Sequence, residues 1–278
     1  MSTGTDRAGG PPRTGFGYLD AVLEQPGTVL AFAHRGGALH PEIPGLENTL
    51  AAFRHAAAQG YDYLETDVHV TSDGVLLAFH DTHLDRVSDL RGVVARLTWP
   101  EVRLARIAGR EAVPTLAELF DELPRTRFNI DLKAAGAVRA LADFLAEREA
   151  WDRVCVGSFS HRRLQEFRRL TRGRVATSAS PLEVALFRLL PSGRLADRLT
   201  RGRVAALQVP HRRGPLTVVT PGLVRRAHSA GKHVHVWTVD EPEEMWTLLD
   251  RGVDGLMTDR TDILKAVLVE GGKWRERA

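Results

Sequence analysis

Five short stretches of this chain carry residue types that can act together: Ala33-His34-Arg35-Gly36-Gly37, Leu46-Glu47-Asn48-Thr49, Leu64-Glu65-Thr66-Asp67-Val68, Ala78-Phe79-His80-Asp81 and Phe128-Asn129-Ile130-Asp131-Leu132-Lys133. Glu65 and Asp67 are spaced i, i+2, which on a strand turns both carboxylates to one face and leaves Leu64, Thr66 and Val68 on the other. Two carboxylates on a buried face repel each other and lose hydration, so they require a cation or paired basic groups. Hard oxygen donors suit Mg²⁺ or Ca²⁺. Taken alone, such a pair is more often a salt-bridged strand end. The balance shifts at 129–133, where Ile130 and Leu132 form one face and Asn129, Asp131 and Lys133 the other. That strand adds a third carboxylate and a lysine, in a chain whose basic residues are nearly all arginine.

His34 and His80 each end an apolar run. Imidazole exchanges protons near pH 7, so a pair can serve as general base and general acid on opposite sides of a phosphorus. Arg35 offers a fork of donors to a phosphate oxygen, and Gly36-Gly37 lets backbone approach closely. A lone histidine at a strand end is more often structural; two of them flanking the carboxylate strand point to catalysis. Three carboxylates, a lysine, an arginine and two histidines are what metal-assisted cleavage of a phosphodiester requires.

Placing these groups falls to an alternating grammar of elements. Apolar runs read as strands at 29–33, 63–70, 127–132, 154–158, 174–178, 204–209, 233–239 and 254–257. Helical periodicity with capping or stop residues covers 47–59, 116–123, 137–150, 161–171, 182–190, 221–230, 243–251 and 262–270. Residues 75–79, after the Ser72-Asp73-Gly74 turn, read as a hairpin return rather than a barrel strand. Eight strands, each followed by a helix, predict a TIM (β/α)8 barrel with a hairpin and a small insertion after the second strand. A doubly wound open sheet is the alternative, and no G-x-G-x-x-G follows the first strand. The expected organisation is a flexible tail at 1–15 and a single catalytic barrel domain at 16–272, with the insertion at about 83–112. A short helix is expected over 18–24.

At 278 residues, 43% hydrophobic and 26% charged, the chain has ample material for a core. A net charge of +3 without a Lys/Arg run excludes a nucleic-acid footprint. Nothing approaches the length of a membrane span, so no stable membrane insertion is expected, and the Gly/Pro/Arg-rich N-terminus lacks an export signal, which makes a cytoplasmic location the expectation. Cys155, in Val154-Cys155-Val156, reads as a buried small hydrophobe.

The ordered series A-H-R-G-G, E-N-T, L-E-T-D-V, D-G and F-H-D-T-x-L-D-R, continued by Val113-Pro114-Thr115-Leu116, Val236-Trp237-Thr238-Val239 and Asp254-Gly255-Leu256-Met257-Thr258-Asp259, resembles the glycerophosphodiester phosphodiesterase family. The resemblance implies a TIM-type barrel that hydrolyses glycerophosphodiesters to glycerol 3-phosphate and an alcohol with a divalent cation. It implies His34 and His80 as the acid–base pair, Arg35 and Lys133 as phosphate-binding cations, and Glu65, Asp67 and Asp131 as metal ligands. Glu47 and Asn48 match a polar pair at the start of the first helix, and Trp237 an aromatic wall of the substrate mouth. Two departures stand out. The third family ligand is usually a glutamate, and Asp131 is one methylene shorter, so coordination is direct or through water. The 38–45 loop is also lengthened, and its His40 and Glu42 are expected to be solvated.

Of the remaining histidines, His69, His83, His161, His211 and His235 are placed at the mouth, with Gln208 and Pro210, and His55 and His228 on helix surfaces. Helix 181–190 is expected to bury an apolar face. Two rival functions keep the barrel: a lysophospholipase D-like diesterase acting on lysophospholipids, and a non-catalytic ligand-binding barrel.

Overall fold

The computed structural model describes residues 11–20 and 27–275. Eight parallel strands run around one barrel: β1 (Leu30–Ala33), β2 (Tyr63–Val70), β3 (Arg127–Leu132), β4 (Val154–Gly157), β5 (Ala176–Thr177), β6 (Ala206–Pro210), β7 (His233–Trp237) and β8 (Gly255–Thr258). Helices follow in turn: α1 (Leu50–Ala58), α2 (Leu116–Glu122), α3 (Ala137–Glu147), α4 (His161–Leu170), α5 (Pro181–Leu189), α6 (Pro221–Ser229), α7 (Pro242–Arg251) and α8 (Thr261–Glu270). β8 pairs with β1, and the seam between β5 and β6 is held by the parallel bridge of Ser178 with Ala206. The expected TIM barrel is the fold.

Alternation along the strands sorts the side chains. Leu64 and Val68 of β2 and Phe128, Ile130 and Leu132 of β3 are buried under the helices in the main core. The opposite faces look into the barrel, whose lower layer holds Leu30, Phe32, Tyr63, Cys155, Ala176, Ala206 and Met257. Tyr18 and Leu19 join that layer, and Tyr63 donates its hydroxyl to the Tyr18 carbonyl at 2.7 Å. A short helix, Gly17–Asp20, thus packs on the N-terminal ends of the strands, away from the end where barrel sites are built. The rest of the helix expected over 18–24, and residues 1–10 of the expected tail, lie outside the described residues. The Pro12 carbonyl accepts a hydrogen bond from His233 at 2.8 Å.

The hairpin return is Leu76–Ala78, antiparallel to β2. The segment after it builds a small core of its own from Leu77, Phe79, Leu84, Val94, Val102, Ala105, Ile107 and Val113. The first helix starts at Leu50, not at 47: Thr49 is the cap, its side chain accepting from Ala52 N–H, and Asn48 stands at φ 56°. Among the elements that escaped sequence reading are a helix at Gly193–Leu199, too short and arginine-rich to show a period, and two-residue ladders of Arg106–Ile107 with Glu111–Ala112 and of Arg212–Arg213 with Leu216–Thr217. α5 buries Phe187 and Glu183 but leaves Leu182 and Leu189 exposed, so its apolar residues only partly face the core.

Candidate active site

The C-terminal ends of β1, β2, β3 and β8 meet at one mouth. After Ala33 the chain turns through Arg35 (φ 50°), Gly36 (φ 85°) and Gly37 (φ 88°). A Cβ at Gly36 would lie 2.8 Å from the Cβ of Ala52, so the turn is pressed against α1 and only glycine fits. This geometry sends His34 and Arg35 toward the strand ends. His34 Nδ1 lies 2.8 Å from Asp259 Oδ1, at the end of β8, and its Nε2 lies 3.8 Å from Glu65 Oε2. The Arg35 backbone N–H donates to Glu65 at 3.1 Å. Its guanidinium reaches Glu47 at 3.1 Å and Asp67 at 3.3 Å.

Glu65 and Asp67 stand in register with Asn129 and Asp131 of β3. Lys133 Nζ sits between the two aspartates, 2.9 Å from Asp67 and 2.6 Å from Asp131. Asn48 also donates to Asp67, at 3.2 Å, and accepts from the Thr66 hydroxyl at 2.8 Å. Burial opposes the charge on Asp67, but Lys133 and Arg35 outweigh it and hold the carboxyl below its usual range. Among the described residues no arginine or lysine side chain pairs with Glu65 in this way. Burial first, and the neighbouring Asp67 second, push its carboxyl up to about 7. Burial likewise disfavours protonated His34, yet Glu65 and Asp259 raise it to about 9.

His80 follows the hairpin return. Its Nδ1 lies 2.5 Å from Asp81 Oδ1, and Asp81 accepts from Arg86 at 2.6 Å. Arg86 in turn clamps both oxygens of Glu47, at 2.6 and 2.9 Å. A continuous polar chain therefore links His80 through Asp81, Arg86 and Glu47 to Arg35. After burial, which opposes it, Arg86 and His80 hold the Asp81 carboxyl down at about 2. The His80 carbonyl faces His69 Nε2 at 3.0 Å.

Among the described residues, Glu47, Asp67, Asp81 and Asp131 at the mouth pair with the fixed cations Arg35, Arg86 and Lys133, whereas Glu65 and Asp259 pair only with His34. Glu65 is the more buried of these two, and an oxygen donor set short of positive charge fits a hard divalent ion.

The other residues singled out from the sequence scatter. Trp237 ends β7 half-buried, with the exposed Phe159 ring edge-on at 5.8 Å. His235 lies fully buried inside the barrel, against Phe32 and Gln208, and is not at the mouth; β7 carries it one full residue pair below Trp237, on the inward face. Gln208 donates to Asn129 at 2.7 Å. His161, the first residue of α4, pairs with Ser180, the cap of α5, and His211, directly after the C-terminal end of β6, pairs with Glu244 of α7. His40 is buried rather than solvated, because its loop folds back against α1, where it meets His55. His228 pairs with the buried Asp254. Sequence reasoning did not assign Asp81, Arg86 and Asp259. The adjacency His80-Asp81, with Arg86 five residues on, was a usable signal; Asp259 acts across 225 residues, which no local pattern reveals.

A sequence model of the "Glycerophosphoryl diester phosphodiesterase family" matches residues 34–263. The chain is 43% identical over 251 residues to "Probable glycerophosphodiester phosphodiesterase 2" of Mycobacterium tuberculosis, covering 89% of this chain and 94% of that protein. It is 39% identical over 114 residues to a lysophospholipase D of Mus musculus, covering 36% of this chain and 35% of that protein. A solved Oleispira antarctica phosphodiesterase, in complex with the product sn-glycerol-3-phosphate, shares the fold: TM-score 0.71 at 22% identity, over 86% of this chain and 96% of that one.

Proposed function

The chain belongs to the glycerophosphoryl diester phosphodiesterase family, and from that premise we propose that it hydrolyses glycerophosphodiesters to glycerol 3-phosphate and an alcohol at the mouth described above. The observation that carries this reading is the matched pair of imidazoles. His34 and His80 are each held at Nδ1 by an aspartate, Asp259 and Asp81, which leaves each Nε2 as the reactive nitrogen.

In this reading Arg35 and Lys133 bind nonbridging oxygens of the phosphate, and Glu47 and Asn48 hold Arg35 and Asp67 in place from the segment before α1. One imidazole takes the proton of the nucleophile, either water or the neighbouring glycerol hydroxyl through a cyclic phosphate. The other gives its proton to the alcohol oxygen as the P–O bond to it breaks. Asp259 and Asp81 stabilise each imidazolium while it carries the proton. Glu65, Asp67 and Asp131 are the residues to hold a divalent ion, Mg²⁺ or Ca²⁺, which when bound neutralises the phosphate oxygens and their developing charge. For Asp131 that role requires sharing its carboxylate with Lys133. Trp237 is the aromatic wall beside the leaving alcohol.

An apolar margin favours a second substrate class. Phe159 and Leu39 lie in the segments following β4 and β1 with 65% and 59% of their surfaces exposed, which suits the acyl chain of a lysophospholipid. The test is release of glycerol 3-phosphate from glycerophosphocholine and of choline from lysophosphatidylcholine, each with Mg²⁺, Ca²⁺ or a chelator. The expected result is diester turnover that the chelator abolishes, and a drop of about 10²- to 10⁴-fold in His34→Ala and in His80→Ala. Faster turnover of the lipid transfers the reading to the second class; near-normal activity in either histidine variant overturns the mechanism.

A further inference from the structure

Three consecutive strand-to-helix segments at the C-terminal end of the barrel each expose a large apolar side chain. Phe159, after β4, is 65% exposed and is the most exposed aromatic side chain among the described residues. Leu182, in the first turn of α5, is 57% exposed. Leu216, after β6, is 55% exposed and stands in the short ladder of Arg212–Arg213 with Leu216–Thr217. β4 pairs with β5, and β5 is bridged to β6, so the three segments are neighbours. The edge-on contact of Phe159 with Trp237 joins this margin to the mouth.

The charge around these side chains is of one sign. Residues 157–163, 178–182 and 210–222 contain no aspartate or glutamate, and four arginines. One of the four, Arg163, is engaged with the Leu132 carbonyl at 3.1 Å. The others, Arg162, Arg212 and Arg213, are exposed, and among the described residues no carboxylate pairs with them. Glu183, next to Leu182, is buried against Arg168 and presents no charge to solvent. The next acid after Arg163 is Glu166, about a turn further down α4 and away from the mouth. The acidic residues of the mouth come instead from β2, β3 and the segments after β1, β2 and β8. The mouth thus has an acidic catalytic side and a basic, apolar margin.

A lone exposed leucine needs no explanation. Apolar tips set among unpaired arginines along one rim match an anionic lipid surface, where the tips enter the apolar layer and the guanidinium groups stay level with the phosphates. The tips stand on three separate segments, an arrangement that a fluid surface accepts without the matched contour a folded partner requires. We propose that Phe159, Leu182 and Leu216, with Arg162, Arg212 and Arg213, form a docking surface for an anionic phospholipid bilayer, which the chain meets mouth-first. The docking is peripheral, since no described helix is long and apolar enough to cross a membrane. Its use, bringing the mouth to lipid-derived diesters, rests on the function proposed above; the docking itself does not.

The experiment is co-sedimentation of the full chain with vesicles of phosphatidylglycerol and phosphatidylcholine in equal parts, and with vesicles of phosphatidylcholine alone, in chelator so that turnover plays no part. Binding to the anionic vesicles is expected to be more than about 10-fold tighter, and to weaken as salt is added. Arg212→Gln with Arg213→Gln should weaken it by roughly 25-fold, at about 5-fold for each arginine. Leu182→Ser with Leu216→Ser should weaken it by more than about 10-fold. These four side chains are exposed and take no part in the chemistry of the mouth, so both double variants should keep the wild-type melting temperature and the wild-type turnover of glycerophosphocholine. Failure to bind the anionic vesicles, equal binding to both kinds, or undiminished binding by either double variant overturns the proposal; a dimer seen by light scattering in place of vesicle binding gives the margin to a second copy of the chain. Vesicle binding without turnover of any diester keeps the docking and removes the proposed function, and turnover without vesicle binding does the reverse.

Discussion

Replacing Asp259 by asparagine tests whether His34 owes its proton affinity to a partner 225 residues away in sequence. The side chain keeps its size and loses its charge. In the folded chain burial disfavours the imidazolium, while Glu65 and Asp259 together raise its pKa to about 9. A hydrogen bond to a charged partner contributes about 1.5–3 kcal/mol. At about 1.4 kcal/mol per tenfold change, removing it weakens protonation of His34 by roughly 10- to 100-fold. The limb of the pH–rate profile governed by His34 therefore moves down by about 1 to 2 in pH. Since Asp259 also fixes the ring's tautomer, kcat should fall by about 10²-fold or more, with KM changed by less than about 3-fold, because no substrate contact is lost. The assay is glycerol 3-phosphate release across a pH series, beside a thermal melt to verify that the variant is folded. A folded Asp259→Asn protein with wild-type kcat and an unmoved limb would refute the orienting role. Asp81→Asn repeats the measurement at His80.

Three further outcomes follow from burial and pairing elsewhere in the chain. Lys133→Met leaves Asp67, 1% exposed, facing Asp131 without their shared ammonium; urea unfolding in chelator should register a loss of about 3 kcal/mol, and an unchanged midpoint would contradict the pairing. Arg168 meets both oxygens of Glu183 and also donates to Thr177 and to the Ser178 carbonyl, with about 3% of each charged side chain exposed. Arg168→Ala should cost about 3–5 kcal/mol in the same measurement, and less than about 1 kcal/mol would show that the pair relaxes. His235, buried against Phe32, is pushed down to about 3 by burial and then by His233. Its folded pKa lies below its unfolded one, so the unfolded chain binds the extra proton, and stability falls by up to about 1.4 kcal/mol per pH unit as pH drops from about 6.5 toward about 3. His235→Phe, if it folds, should flatten that part of the stability–pH curve; an unaltered slope assigns it to other groups.

The parts of this protein legible from its sequence are those encoded by local pattern. Period-two apolar runs and capped helical stretches placed the barrel strands close to where they lie; β2 and β3 coincide residue for residue with the expected ranges. The same alternation put Glu65 with Asp67, and Asn129 with Asp131 and Lys133, on inward faces. Where the pattern was weak the reading slipped: nothing periodic marks Gly193–Leu199, and the polar Glu47-Asn48 looked like a first helical turn until Asn48 took a left-handed backbone and Thr49 became the cap.

What only the tertiary structure decided is how those groups share charge. Strand register sets Asp67 opposite Asp131, so Lys133 is captured between them and the buried Glu65 is left without a lysine or arginine partner. Closure of the barrel brings the end of β8 beside the end of β1, which gives His34 its aspartate. The fold-back of the 38–45 loop buries a histidine that its composition assigned to solvent and sets it against another on α1. Residue types and their faces follow from short-range sterics and hydrophobic periodicity. Proton affinities and partners depend on distances of about 3 Å between segments far apart in the chain, and those exist only once the sheet has closed.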